Sequence, residues 1–435
     1  MSYSNATLAL STARRWRTVW AAALALMSLL PAPAIEAAES TETPRLSVIL
    51  LPTQAVVYRV GFTGVVSDEW TVTARANLDA ALRAALEKST KFELEPLPEV
   101  SAEEREVISE FLKVALLVGV QMKGGLFPAE VPRSAIDRNL GPGLSFLRDR
   151  TGAEYALGVV ASQAEQSKTV AAANFVDAAL MFAVPGYIPA ISPTVTGSAT
   201  VLCLVNLVSG ELRWLNTEAG YEVAGYNFTD LRDPKSVTRD MDKLLSPYPT
   251  MPLLDKNDGV GKKIEHGKKA VALAPFDGGF SVRIPEGWHT RENSNSVAAT
   301  RNGRLIDNMS FEFREHNRSF LEIGRRTRPG STPKQLLDAY IALLEKSGVH
   351  EFAIVEQSTD ARLAGLPAFR VRFSHRPPPP QQGPRSETLA LGAVDEDGFV
   401  VAEYTAIQLN YFEESASAFE QSLQTLKTAQ RRRSH

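Results

Sequence analysis

The sequence has little of the two residues that most often hold metal ions, with one cysteine and six histidines among 435 residues. A single cysteine excludes an internal disulfide, so the hydrophobic cores must hold the fold together. That residue, Cys203, lies in the apolar run 200–205, and this setting predicts a buried, unreactive thiol. The histidines never fall at the spacing of zinc ligands, so we expect no metal site.

The short motifs of common enzyme classes are also missing, among them H-E-x-x-H, C-x-x-C and G-x-S-x-G. Ser331 and Lys334 match the S-x-x-K spacing of penicillin-interacting serine hydrolases, but no S-D-N or K-T-G partner occurs. In the same stretch Thr332, Pro333 and Gln335 predict the start of a helix with a capping box. We therefore expect helix capping here, no catalytic residue and no cofactor.

A large net charge of either sign is missing too. The formal net charge at pH 7 is -3, from 47 basic and 50 acidic residues. A weakly acidic chain has no general electrostatic attraction to nucleic acid, so we expect no nucleic-acid partner.

Long hydrophobic runs are scarce. The apolar run near the N-terminus covers residues 19–30, whereas a membrane-spanning helix needs roughly twenty residues. Arg14, Arg15 and Arg17 precede this run, and small residues follow it. This order predicts a cleaved signal peptide over residues 1–38 and a periplasmic protein, with secretion as the alternative. A retained anchor and twin-arginine export are the other interpretations.

Length and composition predict two domains. Residues 251–269 are rich in Gly, Asp, Asn and Lys and lose the hydrophobic periodicity, as a polar linker does. Globular segments flank this linker at 45–250 and 270–428, and a basic tail, 429–435, follows the second of them.

The first domain shows the element order β-α-α-β-β-β-α. Its helices carry apolar residues at three- and four-residue spacing, and Ser101 with Glu104 forms a capping box. The order predicts an α/β layered domain with a mixed or antiparallel sheet. The predicted elements are strands 46–51, 155–161, 200–207 and 211–215 and helices 68–89, 102–117 and 235–245.

The second domain alternates apolar and polar residues in several short runs, and Asp397 with Gly398 signals a tight hairpin. The pattern predicts an antiparallel sheet covered by two helices. The whole chain is therefore predicted to be an α+β protein of two layered domains, each a mixed or antiparallel sheet covered by helices. The predicted elements are strands 280–284, 309–314, 353–356, 368–374, 387–394 and 399–407 and helices 333–347 and 411–427.

Residues 199–214 read ATVLCLVNLVSGELRW, a strand, a turn and a second strand. The stretch resembles a signature of the TolB-N-terminal and curli-secretion (CsgG-like) folds, with Asn206 where the pattern has Asp. Asp230, Leu231 and Arg232, followed by a helix and Pro247, are similar to the ending of related envelope proteins. The resemblance implies a non-enzymatic protein that assembles with partners in the periplasm or at the outer membrane.

The second domain resembles the PsbP/Mog1-like sandwich. The resemblance rests on F-x-V-x-I-P-x-G-W at 280–288, on Leu-Ala-Gly-Leu-Pro-Ala at 363–368 and on a closing helix that begins at Tyr411 and Phe412. It implies an accessory or interaction module whose relatives share no common catalytic residue.

An apolar, nearly uncharged insertion occupies residues 171–191, between two predicted strands. Asp177, Pro185 and Pro189 argue against a free-standing membrane helix. In the curli-secretion proteins an insertion between comparable strands forms membrane-spanning hairpins. We hypothesise that this segment packs on a protein partner or on the membrane surface; the alternative is a buried connection across the domain's own sheet. The candidate interaction residues are Phe175, Leu180, Met181, Phe182, Tyr187 and Ile188.

A polyproline tract, residues 376–382 from Arg376 to Gln382, lies between two predicted strands. Polyproline stretches are stiff and extended, so the tract predicts a rigid, exposed hairpin loop, with a recognition surface as the alternative.

These observations predict a non-catalytic, exported envelope protein that acts as a binding or assembly accessory factor. Its predicted partner is an envelope protein or the membrane surface, contacted through residues 171–191. Two alternatives remain open at this stage. The protein could carry a small apolar ligand between the sheet and helices of its second domain, or it could be a serine hydrolase that uses Ser331 and Lys334.

Overall fold

The computed structural model describes residues 45–60, 64–89, 91–123, 131, 135–166, 197–221, 229–246, 271–272, 280–293, 295–377 and 383–428. The predicted signal peptide, insertion 171–191, polar linker 251–269 and basic tail lie outside these residues. Residues 45–435 belong to one compact unit. The predicted domain boundaries stay predictions.

The first sheet is mixed, and its centre is the long strand β5. β1 and β2 follow one another along one edge of β5 in parallel orientation, and β6 pairs antiparallel with the other edge. The sheet continues through β1 to β4, through β2 to β3 and through β6 to β7. Its strands are β1 Leu46–Leu50, β2 Gln54–Val60, β3 Gly64–Val66, β4 Phe92–Glu95, β5 Tyr155–Gln166, β6 Gly197–Asn206 and β7 Leu212–Tyr221.

Helices cover both faces of this sheet. Leu78 of α1 and Met241 of α4 belong to one apolar cluster, and Phe111 of α2 belongs to another. The predicted capping box starts α2, because Ser101 N donates to Glu104 Oε2 (2.8 Å) and Glu104 N donates to Ser101 Oγ (3.2 Å). The helices are α1 Asp68–Glu87, α2 Ala102–Lys123, α3 Ser145–Thr151 and α4 Pro234–Leu245.

The second sheet has seven strands, all antiparallel, in the order β11-β12-β13-β17-β16-β15-β14. With the first sheet it gives the predicted α+β class. The strands are β11 His289–Glu292, β12 Ser296–Thr300, β13 Asp307–Glu315, β14 His350–Leu363, β15 Leu366–Arg376, β16 Ser386–Val394 and β17 Gly398–Ile407. Two short ribbons pair β8 Val271–Ala272 with β10 Arg283–Ile284 and β9 Phe280–Ser281 with β18 Lys427–Thr428.

One helix lies on each face of the second sheet: α5 Pro333–Lys346 and α6 Tyr411–Thr425. Below α6, the Tyr404 ring stacks on Phe412 and Phe419 with centroids 5.3 and 5.8 Å apart. Under α5, Tyr340 packs on Phe369 at 5.4 Å. Each fully buried large apolar side chain contributes roughly 1.5–3 kcal/mol, so both layers stabilise the sheet substantially.

The loop 135–141, called the clasp loop below, joins the two sheets. On one side its backbone pairs with the turn after β6, since Leu140 N donates to Gly210 O at 3.1 Å. On the other side it bonds to the second half of the chain, through Asp137 N to Asn302 Oδ1 (2.8 Å), Asn410 Nδ2 to Asn139 O (2.8 Å) and Tyr411 Oη to Asp137 O (2.9 Å).

Asn302 is fixed in turn by the buried carboxylate of Asp307. Burial raises the pKa of Asp307, and hydrogen bonds to the carboxylate partly offset that rise. The carboxylate oxygens of Asp307 accept four hydrogen bonds, from Thr300 Oγ1 (2.8 Å), Arg301 N (2.8 Å), Asn302 N (3.1 Å) and Asn302 Nδ2 (2.7 Å). The contact between the sheets is therefore specified by directed hydrogen bonds as well as by apolar packing.

Candidate functional site

All six candidate interaction residues lie outside the described residues: Phe175, Leu180, Met181, Phe182, Tyr187 and Ile188. The strands that flank their segment are described. β5 and β6 pair in unbroken register from Tyr155↔Asn206 to Ala164↔Gly197. The insertion therefore connects two neighbouring strands that pair directly with each other.

Ser331 and Lys334 occupy the start of α5, where the sequence predicted capping. Thr332 and Gln335 form the complete capping box. Ser331 Oγ accepts a hydrogen bond from Arg328 N (3.1 Å), and Lys334 Nζ lies 3.1 Å from Asp338 Oδ2. Serine and lysine thus each engage a different group, and the S-x-x-K pattern is accounted for by the helix start.

The thiol of Cys203 is buried in the first sheet, as predicted. Burial raises its pKa to about 12, and the sulfur lies 3.6 Å from Gly158 O. A thiol with such a pKa carries almost no thiolate at neutral pH, so it is unreactive.

The Asp230-Leu231-Arg232 motif packs the first sheet. Leu231 is fully buried, and the Arg232 guanidinium lies 4.4 Å from the centre of the Trp70 ring. Arg232 also binds Asp230 (2.8 Å) and Glu165 (2.6 Å). Burial alone would raise the pKa of Asp230, but hydrogen bonds led by that from Arg232 lower it below its usual value. The side chains of this motif thus make structural contacts within the first half of the chain.

A groove lies between α5 and the edge strand β14. The helix begins at Thr332 and turns Leu336 and Tyr340 toward the sheet. This orientation leaves Lys334, Asp338 and the half-buried Ile341 along the groove. Helical spacing explains the arrangement, because residues three and four apart share one side of a helix.

β14 is the other wall, and it is exposed along most of its 14 residues. In the part of the chain that the structure describes, β14 pairs with β15 alone, so its outer edge has no strand beside it. One-residue bulges interrupt the pairing at three places, after His350, Ile354 and Ser358. Bulges of this kind limit edge-to-edge association of sheets.

The groove has a volume of about 410 Å³. Two carboxylates, from Asp338 and Asp360, face one ammonium group, from Lys334, so its net charge is negative. The Ser358 hydroxyl accepts a hydrogen bond from Asp360 N (3.0 Å) and fixes the bulge that forms the wall. The lining residues are Lys334, Leu337, Asp338, Ile341, Gln357, Ser358, Thr359 and Asp360.

Two exposed apolar residues lie on β14 shortly before the residues that line the groove. Ile354 is opposite Phe373, whose ring packs under α5, so Ile354 faces the same side of the sheet. Its neighbour Phe352 contacts Phe373 with ring centroids 5.0 Å apart. Ile354 is 42% exposed and Val355 58% exposed. Two large apolar residues are thus accessible on a strand whose edge is open.

A second depression, of about 570 Å³, follows one side of α4. All of its lining residues belong to that helix, so no second element converges on it. Among the described residues, no group of three or more His, Cys, Asp or Glu side chains is arranged to hold a metal ion. Every described helix is too short or too polar to span a bilayer.

Comparison with known proteins gives structural neighbours at low similarity. No family model matches the chain, and no curated protein matches it. The Ran-binding protein Mog1p of Saccharomyces cerevisiae is similar at 10% identity and a TM-score of 0.27, over 37% of this chain and 95% of that one. The cyanobacterial PsbP of Synechocystis is similar at 11% identity and a TM-score of 0.27, over 39% and 98%.

A third neighbour is LpqN of Mycobacterium tuberculosis, described as involved in cell envelope biogenesis. It is 12% identical with a TM-score of 0.23, over 38% of this chain and 88% of that one. At these scores none of the similarities supports an inference about activity or partners. Mog1 and PsbP are thus among the distant structural neighbours of this chain. The resemblance of the first half to TolB and curli-secretion proteins stays a prediction.

Proposed function

We propose that the protein is a non-catalytic binding protein, an exported accessory or assembly factor of the bacterial envelope. We further propose that its α5–β14 groove receives an extended segment of a partner protein. The observation that carries this proposal is an edge strand with an open side lying beside a helix-walled groove. Extended peptides bind sheets in this way, with backbone hydrogen bonds to the edge strand and side chains in flanking pockets.

The groove defines the chemistry of the segment. Leu337 and Ile341 offer apolar contact inside the groove for one large side chain of the partner, and Ile354, three residues before the β14 wall of the groove, offers a further apolar contact. Asp338 forms an ion pair with Lys334, whereas no ion pair links Asp360 to another described residue. A basic side chain next to the apolar one would pair with Asp360. The proposed ligand is thus an extended segment that combines an apolar residue with Lys or Arg.

The bulges of β14 set how much backbone the partner can pair with. Between the bulges after Ile354 and Ser358, only Glu356, Gln357 and Ser358 keep regular register with β15. A guest strand would pair with about this length, so few backbone hydrogen bonds form and side chains supply most of the specificity. The same bulges keep a second sheet from continuing β14 over its whole length.

A random peptide library displayed on phage tests the proposal directly. We expect the purified protein to enrich sequences in which an apolar residue neighbours Lys or Arg. A fluorescent synthetic copy of an enriched peptide should bind Ile354→Arg about tenfold or more weakly, because a hot-spot contact is replaced by a charge. Asp360→Lys should weaken binding several-fold. The control Val72→Arg changes a valine on α1 that is more exposed than Ile354, and it should leave affinity unchanged.

The groove proposal fails if no peptide is enriched, or if the enriched peptides bind all three variants as well as the parent protein. Circular dichroism spectra of the variants establish that each one folds. Ile354 and Asp360 are accessible, so their substitution should leave stability within about 0.5 kcal/mol.

Residues 171–191 remain the predicted second contact, with a protein partner or the membrane surface. A variant that lacks them, closed by a short glycine linker, is expected to fold, because β5 and β6 pair without them as far as Ala164↔Gly197. Crosslinking in intact envelopes then compares this variant with the full chain. Loss of a specific crosslinked partner supports the prediction. An unfolded deletion variant instead supports the buried-connection alternative.

The two alternative functions receive no support from the described geometry. The layer between α5 and the second sheet is filled by rings of Tyr340, Phe369 and Phe373 at 5.4–6.4 Å, where a carrier would need room for an apolar ligand. A hydrolase would need Ser331 and Lys334 to act together, and each is engaged elsewhere. N-terminal sequencing of protein from a periplasmic extract tests the export prediction, with the new terminus expected near residue 39.

A further inference from the structure

The loop that connects β13 to α5 carries a concentration of positive charge. Residues 316–330, called the basic loop here, read HNRSFLEIGRRTRPG and contain four arginines and one glutamate, whereas the whole chain is net negative. Arg325, Arg326 and Arg328 are exposed, and none of them forms an ion pair with any residue that the structure describes. Arg318 lies 3.9 Å from Glu315 on the surface.

Buried polar contacts fix the shape of the basic loop. His316 Nδ1 and Ser319 Oγ lie 2.9 and 2.7 Å from Thr327 Oγ1, and Thr327 N donates to Ser319 Oγ (3.0 Å). Phe320 is buried against Phe399 with ring centroids 4.9 Å apart, and it holds a left-handed backbone with φ of 54°. A non-glycine residue in that region costs about 1–2 kcal/mol, so packing must enforce the conformation.

Beside these arginines the basic loop exposes a large apolar side chain. Leu321 follows the buried Phe320 and is 54% exposed. Two glycines with positive φ, Gly324 and Gly330, bracket the arginine run. The loop thus presents an accessible leucine and several guanidinium groups on a scaffold that is already ordered before binding.

We propose that the basic loop docks the protein onto an anionic lipid bilayer. Guanidinium groups bind phosphate through two parallel hydrogen bonds, and a bilayer surface offers phosphates beside hydrocarbon. Leu321 enters the interfacial region while the arginine stems keep their charges at the headgroups. An acidic protein would match the charge but gives no general reason for an exposed leucine among arginines, so the observations favour lipid.

The charges near the basic loop set the size of the expected effect. Glu322 lies within it, and the turn Asp395–Asp397 lies beside it, since His316 Nε2 is 3.2 Å from Glu396 O. These four carboxylates equal the four arginines in number, so the attraction depends on the position of Arg325, Arg326 and Arg328 beside Leu321 and not on the net charge of the region. Each basic residue near an anionic membrane strengthens binding about fivefold. Replacing three of them should therefore weaken binding at least about a hundredfold.

Cosedimentation of the full chain with vesicles tests the proposal. Vesicles of phosphatidylcholine with phosphatidylglycerol should bind the protein, and binding should fall with ionic strength. The triple variant Arg325→Glu, Arg326→Glu, Arg328→Glu should lose the phosphatidylglycerol-dependent part, and Leu321→Asp should weaken it about tenfold. The matched control Lys88→Glu, Arg283→Glu, Arg291→Glu changes net charge equally at exposed sites and should retain nearly all binding.

Two results would overturn this assignment. The first is equal phosphatidylglycerol binding by the loop variant and the matched control, which would place any membrane contact elsewhere, including residues 171–191. The second is loop-dependent binding to polyglutamate but not to the vesicles, which would make the partner an acidic protein. Competition by inorganic phosphate distinguishes a bilayer from free phosphate as the ligand. If the bilayer is the ligand, displacing the protein should need a phosphate concentration far above that of the lipid phosphate in the vesicles.

Discussion

Two contact regions of the second sheet meet their surroundings in opposite ways: the inner flank, where Arg376 and the clasp loop contact the first half of the chain, and the outer flank, which is the α5–β14 groove. At the inner flank, the guanidinium of Arg376 lies 2.6 Å from both Glu106 and Glu110 of α2, and only 11% of its side chain is exposed. At the outer flank, Lys334 and Asp338 form an ion pair of 3.1 Å whose side chains are mostly in water. Ion pairs are thus mostly shielded from water and structural at the inner flank, whereas the ion pair at the outer flank is exposed to solvent.

The backbone shows the same contrast. At the inner side the clasp loop is fixed between the turn after β6 and the second sheet by hydrogen bonds of 2.8–3.1 Å. On the outer side β14 has a bulged edge and the accessible residues Ile354 and Val355. We conclude that the inner flank holds the protein together, whereas the outer flank keeps exposed the groups on which the proposed partner contact depends.

Two glycines sharpen this comparison and give the largest expected effect. Gly210 touches the clasp loop, with φ of 74°, and a Cβ there would lie 1.7 Å from Gly141 O. Gly365, in the β14–β15 hairpin, has φ of 83° and no atom within 4 Å of such a Cβ. Gly365→Ala should cost about 1–2 kcal/mol, the price of a left-handed alanine. Gly210→Ala adds a backbone clash and should cost more than about 4 kcal/mol.

Urea unfolding of both variants measures the difference. Equal losses for Gly210→Ala and Gly365→Ala would show that the clasp loop shifts freely, and the proposed rigidity of the inner flank would then be wrong. The slope of the free energy of unfolding against urea should stay constant if only stability changes.

Local signals in the sequence predicted much of this fold. The capping boxes at Ser101 and Thr332 each depend on residues three apart, and both exist as predicted. Most strands and both helices of the second half followed from periodicity for the same reason, whereas β11 and β12 were not predicted. By contrast, β2 was not predicted as a strand, because its place is fixed by parallel pairing with β5, about a hundred residues later. α3 was also missed, although Gly152 after it is the usual glycine signal of a helix end.

The α5–β14 groove could not be predicted, because it forms where two elements meet in space. Lys334 was noticed only as part of a serine–lysine pattern, and Gln357–Asp360 showed no motif. Arg376 was assigned to an exposed proline loop, but it ends β15 and binds α2. Its carboxylate partners lie some 270 positions earlier in the chain, a distance that no local pattern reveals.

Two histidines extend the comparison to pH. His375, next to Arg376, is largely buried, and burial lowers its pKa from 6.5 to about 4. The unfolded chain therefore takes up a proton at a higher pH than the folded protein does. The contribution of His375 to stability should be full above pH 6.5 and should fall by about 3 kcal/mol as the pH drops from 6.5 to about 4.

His375→Gln should remove most of this pH dependence, because no group at that position then titrates. The matched control, His350→Gln, removes a histidine at the exposed start of β14. Chemical unfolding at a series of pH values checks both. A profile of His375→Gln as steep as that of the parent protein would mean that other groups carry the effect.

The ion pairs themselves give the smallest expected effects. Arg376→Met removes one of the two cations that contact Glu110, which is mostly buried, while Lys113 and Arg385 N still contact it. We expect a loss of about 2 kcal/mol, below that for a fully buried pair because water still reaches Glu106. Lys334→Met breaks an exposed pair and should cost under about 0.5 kcal/mol. Thermal unfolding decides the matter: similar losses for both variants would show that the two flanks use their charges alike, whereas a clear excess for Arg376→Met assigns the structural role to the inner flank.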